Sequence, residues 1–299
     1  MVRVCLVLEV TLIASPLLAK AQSSVFLEDL TWTEARDAVR GGNTTIIVPT
    51  GGTEQNGPHM VLGKHNIIVK FTAGEIAKRL GNAMVAPVIA YVPEGSIDPP
   101  ASHMRFSGTI SLPQKHFEKV LEFTARSFRA HGFLDIVLLG DSGGNYAGQR
   151  AVALALNKEW ASTSTRVHSV EANYDANGST DWLRRQGETA ASIGTHAGIP
   201  DTSQMLALHP DGVRRAKLAL GQKDDGSGVT GDPTRATATY GKQLLEFKIA
   251  AAVRDLRGLR ESSRKVPRLV APDVSSGPTP AAPDGRRQSR PTAGELPRL

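Results

Sequence analysis

Between residues 49 and 66 the chain reads PTGGTEQNGPHMVLGKHN and places Glu54, His59 and His65 within twelve residues. A carboxylate and two imidazoles are ligand types that zinc and manganese share, so this stretch could supply most of a divalent-metal site. A second polar stretch, GDSGGN at 140–145, adds Asp141, Ser142 and Asn145. Spacing alone fixes no geometry, because no helical pattern orients the three residues of the first stretch. The chemistry depends on the elements that bring the two stretches together.

Those elements show in the hydrophobic pattern. Short β-branched or apolar runs at 45–48, 83–88, 135–139 and 166–170 read as strands. Helical patterns at 66–80, 114–131 and 145–160 alternate with them, the first two closed by Gly81 and Gly132. A last helix is expected to start at Asp232-Pro233, an N-cap followed by the proline favoured at N1, and to run through Leu244, Leu245, Ile249 and Val253. The alternation predicts a single α/β domain with a mostly parallel central sheet flanked by helices on both faces. In such sheets ligands bind beyond the carboxyl ends of the strands, and both polar stretches follow a strand.

The motif Gly140-Asp141-Ser142-Gly143-Gly144 matches the nucleophile segment of chymotrypsin-like serine proteases, but its context rejects that reading. Those are disulfide-bearing β-barrels with proline after the glycines, whereas Asn145 follows here and the flanks read strand then helix. Ser142 is left as either a nucleophile on a strand-to-helix turn or a small residue in a tight turn. The long Pro-rich stretch 92–113 reads as a pocket wall or lid, with Glu94, Asp98, His103 and Arg105 able to shape substrate choice; a subunit contact explains it equally well.

The composition, 40% hydrophobic and 5% aromatic over 299 residues, suits one or two globular domains. The net charge of +6 is mostly a property of the segment 262–299, which holds seven basic, three acidic and seven proline residues. It reads as a disordered tail, and the near-neutral remainder argues against a dedicated nucleic-acid binder. Cys5 is the only cysteine, which excludes an intrachain disulfide or a cysteine nucleophile in the body. Residues 1–21 carry Arg3, an apolar stretch and Ala19-Lys20-Ala21, the form of a secretory signal cut before Gln22. The expectation is a folded domain at 22–261, exported to the periplasm or secreted. Nothing downstream approaches the ~20 apolar residues that span a bilayer.

Five colinear segments carry a family resemblance. Thr53-Glu54-Gln55-Asn56-Gly57-Pro58-His59 with Leu62-Gly63 resembles the T-E-Q-H-G-P-H…L-G segment of the creatininase (creatinine amidohydrolase) family. Phe106-Ser107-Gly108-Thr109-Ile110-Ser111-Leu112 resembles F-P-G-T-I-S-L, and His131-Gly132-Phe133 with Gly143-Gly144-Asn145 resembles H-G-F…N-G-H-G-G-N. Thr195-His196-Ala197-Gly198 with Asp201-Thr202-Ser203 resembles H-A-G-E-x-E-T-S, and 228–233 resembles G-V-x-G-D-P.

The resemblance implies a binuclear zinc or manganese centre that hydrolyses small, often cyclic, amide C–N bonds, in a homo-oligomer that is commonly a hexamer. Glu54 matches the family's glutamate ligand, but Asn56 stands at a histidine ligand, His65 at the bridging aspartate and Ser142 at another histidine. The usual pair of ions thus lacks its ligand set. The expected outcome is one divalent ion, zinc or manganese, on Glu54, His65 and Asp141, with His196 and Asp201 catalytic and His196 protonating the leaving nitrogen. Asn56, His59, Ser142 and Asn145 would line the pocket or support the ligands. His103, His116, His131, His168 and His209 are expected to be surface or packing residues. The substrate would be a small amide or lactam. The alternative is a non-catalytic small-molecule-binding protein that has lost the metal centre.

Overall fold

The computed structural model describes residues 24–174, 176–222 and 226–264. The expected signal segment 1–21 and the tail beyond Arg264 lie outside the described residues.

The elements in chain order are α1 (Trp32–Arg40), β1 (Thr45–Thr50), α2 (Lys64–Leu80), β2 (Ala83–Val85), α3 (Gln114–Ala130), β3 (Asp135–Gly140), α4 (Tyr146–Glu159), β4 (Arg166–Val170), α5 (Ser179–Arg185), α6 (Ala190–Ile193), α7 (Ile199–Leu208) and α8 (Ala238–Arg264). The four strands form one parallel sheet in the order β2-β1-β3-β4. β1 and β3 are buried at every residue, as central strands covered on both faces must be. Their side chains divide by parity. Ile46, Val48, Ile136 and Leu138 pack with Phe117 and Leu121 of α3 and Val152 and Leu156 of α4. Ile47, Val137 and Leu139 pack with Val69 and Ile76 of α2 and Ile249 and Val253 of α8. The predicted α/β architecture with helices on both faces is the one observed.

Several boundaries differ from expectation, and those of β2, α2 and α8 matter most. β2 ends at Val85, earlier than expected, as the chain approaches Pro87, which has no N–H for a sheet ladder. Asp232-Pro233 opens only a short 3-10 turn, where the Asp232 side chain accepts from Thr234 N–H at 3.0 Å; α8 begins later, at Ala238, and continues to Arg264, past the expected domain end at 261. The most consequential shift is in α2, which starts at Lys64 rather than at 66. Lys64 and His65 therefore belong to its first turn, and the helix does fix the geometry that the sequence left open. Gly81, at φ 75°, closes α2 with its N–H on Ala77 O, as predicted. Among the described residues no helix is long and apolar enough to cross a membrane.

Candidate active site

The carboxyl ends of β1 and β3 are tied together by hydrogen bonds. Asp141 N–H donates to Thr50 O at 3.1 Å. Asn145 Nδ2 donates to Thr50 Oγ1 and Gly51 O, each at 2.9 Å. Asn145 thus holds the two loops together at the sheet edge. Asn56 has a comparable role within its own loop, with Nδ2 donating to Glu54 O at 2.9 Å and Val61 O at 3.1 Å. His59 is fully buried and bonds Thr202 Oγ1 through Nε2 at 3.0 Å, pinning the loop to α7. These three expected pocket residues act as braces.

His65 lies between the two expected carboxylates. Its Nε2 is 2.8 Å from Glu54 Oε1 and its Nδ1 is 2.8 Å from Asp141 Oδ2. The structure therefore gathers Glu54, His65 and Asp141 as foreseen, but with both imidazole nitrogens committed to carboxylates. Burial and the nearby Lys64 charge push the His65 pKa down, yet the bonds to Asp141 and Glu54 outweigh them and raise it to about 9. The ring is an imidazolium at neutral pH.

Two lysines join this group. Lys64 Nζ, fully buried, is 3.0 Å from Asp201 Oδ2 and 3.4 Å from Glu54 Oε1; Lys248 Nζ, on α8, is 2.5 Å from Asp141 Oδ1. Burial disfavours the Lys64 ammonium, but the charges of Asp201 and Glu54 hold its pKa above the usual lysine range. Glu54 and Asp201 are likewise resisted by burial and held well below the carboxylate range, Glu54 chiefly by His65 and Lys64, Asp201 chiefly by Lys64. Asp201 also accepts the Ala197 N–H at 2.8 Å, so its position is that of an anchor for α7.

A second arc of the site comes from His103 and His196. His103 Nε2 is 3.2 Å from Glu54 Oε2, and His196 Nδ1 is 3.7 Å from Glu54 Oε1. Gln55 orients both rings. Its carbonyl oxygen lies 3.0 Å and its side-chain Nε2 3.1 Å from His196 Nε2, and the same Nε2 reaches His103 Nδ1 at 3.1 Å. Burial lowers the pKa of both histidines, that of His196 to about 4, so both are neutral at pH 7. Ser102 and Ala197, which flank the two histidines, adopt φ values of 54° and 53°. Non-glycine residues in this region carry strain that the surrounding structure supports. The ligand atoms of Glu54, His103 and His196 lie within 4.8 Å of one another, a spacing that can hold one metal ion.

These groups border a cavity of about 380 Å³ that Glu94, Ser142 and Tyr174 also line. Burial, the Glu54 charge and a hydrogen bond to Glu54 raise the Glu94 pKa to about 9, so Glu94 holds the proton of that carboxyl pair. A Cβ at Gly52 would come within 2.2 Å of Glu94 Oε1, so glycine is required for the close approach. Ser142 faces the cavity, but among the described residues no hydrogen bond joins its hydroxyl to a base, which leaves the nucleophile reading without a partner. Tyr174, Thr195 and His196 also border a second cavity of about 400 Å³ reaching Lys248 and Arg184.

Sequence reasoning missed Lys64 and Lys248 and named Glu94 and His103 only as residues of a pocket wall or lid. His103, expected at the surface or in packing, is at the metal-compatible trio, although the stretch 92–113 had been read as a pocket wall. Lys64 and Lys248 give no motif signal: a lysine in a helix reads as a solvated charge unless its burial is known.

Fold and site define a class: a parallel α/β sheet with a set of carboxylates and imidazoles at its carboxyl edge. Residues 28–256 match the family model described as Creatininase: creatinine amidohydrolase, and the chain belongs to the creatininase family. It is 28% identical over 222 residues to the mycofactocin precursor peptide peptidase of Mycolicibacterium smegmatis, spanning 67% of this chain and 79% of that protein. Two solved structures share the fold. One, described as creatininase Mn, superposes with a TM-score of 0.63 at 23% identity over 81% of this chain and 100% of that one. The other, a mutant creatininase of Zn–Zn type, gives 0.62 at 23% identity over 81% and 99%.

Proposed function

We propose that this protein is a metal-dependent amidohydrolase that cleaves a small amide or lactam C–N bond, using one divalent ion, zinc or manganese. The observation that carries the proposal is the trio Glu54, His103 and His196, with a neutral His196 whose Nδ1 faces an ionised carboxylate in a cavity at the sheet edge. This donor set fits an ion that accepts nitrogen and oxygen ligands. An ion on His103 Nε2 needs the neutral ring with its proton on Nδ1, so binding weakens only where the ring protonates, below the ordinary histidine range. When bound, the ion would polarise a substrate carbonyl and acidify water.

The protein's own residues supply orientation and protons. Gln55 sets both rings, Asn145 holds the loops in register, and Glu94 holds a proton at the cavity wall where a leaving nitrogen could receive it. His196 is poorly suited to the acid role expected of it, because burial lowers its pKa to about 4 and the ring is neutral at pH 7. His65 and Asp141, expected as ligands, serve as the support on which Glu54 rests.

A second reading, a binding protein that does not hydrolyse its ligand, is favoured by the donors already around Glu54: His65, Lys64 and His103. Elemental analysis of protein purified without chelators separates the two, together with an assay on creatinine and short peptide amides. One equivalent of zinc or manganese and metal-dependent cleavage support the hydrolase; no metal and no uptake on titration would refute it. Export through residues 1–21 and assembly into a homo-oligomer, hexameric as is common in the family, belong to the same proposal. Intact mass of exported protein and light scattering of the purified chain test them.

A further inference from the structure

Six buried or nearly buried groups form one continuous line of alternating charge. Asp201 contacts Lys64 at 3.0 Å, Lys64 contacts Glu54 at 3.4 Å, and Glu54 contacts His65 at 2.8 Å. His65 then contacts Asp141 at 2.8 Å, and Asp141 contacts Lys248 at 2.5 Å. Each nitrogen of His65 faces an oxygen of an ionised carboxylate, which can only accept, so both nitrogens carry hydrogen and the ring is a cation. Three anions thus meet three cations, and the line is electrically neutral.

We infer that the cations Lys64, His65 and Lys248 take the place of a second metal ion, so that the site holds at most one divalent cation. The inference rests on the one-ion reading proposed above. Buried carboxylates need a compensating charge, which a divalent ion or organic cations can supply. Here the organic cations are already in place. Asp141 has one oxygen on His65 and the other on Lys248, and His65 has no nitrogen left to bind metal. An ion beside Asp141 would face the Lys248 ammonium across a carboxylate and would have to displace it.

The position of two of the cations shows that the arrangement is imposed by the site. Lys64 and His65 open α2, and its first turn contains no acidic residue. A helix N-terminus carries partial positive charge, so cations there are locally disfavoured. Glu54, Asp141 and Asp201, which come from three other segments, reverse that preference. Lys248 comes from α8, more than a hundred residues away in sequence, so the line closes only in the folded chain.

The test is manganese uptake by the full chain, read by equilibrium dialysis and electron paramagnetic resonance. Wild type should saturate at one ion per chain with the six-line spectrum of an isolated Mn(II). His65→Asp, which turns the central cation into an anion, should bind one ion more than wild type and show an exchange-coupled spectrum. Lys248→Met, which removes a terminal cation, should gain an ion too and serves if His65→Asp does not fold. Two coupled ions on wild type would overturn the inference while leaving the hydrolase reading intact. Equal stoichiometry in wild type and both folded variants would overturn it as well. No ion on wild type with one on a variant would support the inference and instead refute the one-ion hydrolase.

Discussion

The two ends of the sheet carry the same kind of side-chain triplet put to different uses. At the amino edge, His168 Nε2 meets Asp135 Oδ1 at 2.9 Å and Arg260 Nε meets Asp135 Oδ2 at 3.0 Å. At the carboxyl edge, His65 and Lys248 share the two oxygens of Asp141 in the same manner. The first triplet stitches β3, β4 and α8, and Arg260 reaches on to Asn82 Oδ1 at 3.3 Å. The second continues through Glu54 into a cavity and a pair of further histidines. Residue chemistry is nearly identical, so location decides: loops and helix N-termini converge only beyond the carboxyl ends of parallel strands.

Substitutions can sharpen that contrast. The largest loss of stability is expected from Glu54→Ala, which leaves Lys64 and His65 without a shared anion; breaking a buried pair this way costs about 3–5 kcal/mol. Denaturant titration should show it, and metal content should fall to background. Asp135→Asn at the other edge should cost roughly 1–3 kcal/mol and leave metal content unchanged, because Asp135 opens β3 at the end opposite Asp141 and the cavity. If Asp135→Asn also abolished metal binding, the separation of the two edges would be wrong.

The pH dependence of the metal-stripped protein is a third discriminator. His65 has a folded pKa raised to about 9, so its contribution is complete below about 6.5 and is lost as pH rises through 9. Glu94, also raised to about 9, keeps in the folded state a proton that the unfolded chain has released above about 4.5, so it acts in the same direction. Melting temperature should therefore fall between about pH 6.5 and 9, each proton contributing up to about 1.4 kcal/mol per pH unit. A flat or rising profile would contradict the charge assignments. Glu94→Gln should remove part of the slope.

Smaller effects on stability are expected elsewhere. His103 is only partly buried, so His103→Ala should change stability by less than about 1 kcal/mol while lowering metal affinity at least about 10-fold, as isothermal titration would show. Ending the chain at Arg264 should shift melting by no more than a few degrees, since the last buried apolar side chain of the core among the described residues is Leu256.

The fold could be read from the sequence because it depends on local periodicity: 45–48 and 135–139 are continuous apolar runs, and Gly81 and Gly132 mark helix ends. That the loops carrying Glu54, His65 and Asp141 meet could be read from the strand ends that precede them; the choice of these three residues came from the family resemblance. What could not be read was charge state and competition. Nothing in the order of residues says that Lys248 reaches Asp141, or that both nitrogens of His65 are taken. The place of His103 beside Glu54, rather than only in the pocket wall, was hidden for a related reason: the 3-10 turn at Ser102–Arg105 that presents it has no periodic signature, and Gln55, which orients it, is fixed by Gly57 N–H and Gly228 O from separate loops.

The most direct measurement is a crystal structure of the manganese-loaded protein with anomalous diffraction at the manganese edge. A single peak should appear, bonded to Glu54, His103 and His196, with Lys248 still on Asp141 and His65 still between its two carboxylates. A peak between His65 and Asp141, or two peaks within about 4 Å of each other, would contradict this assignment.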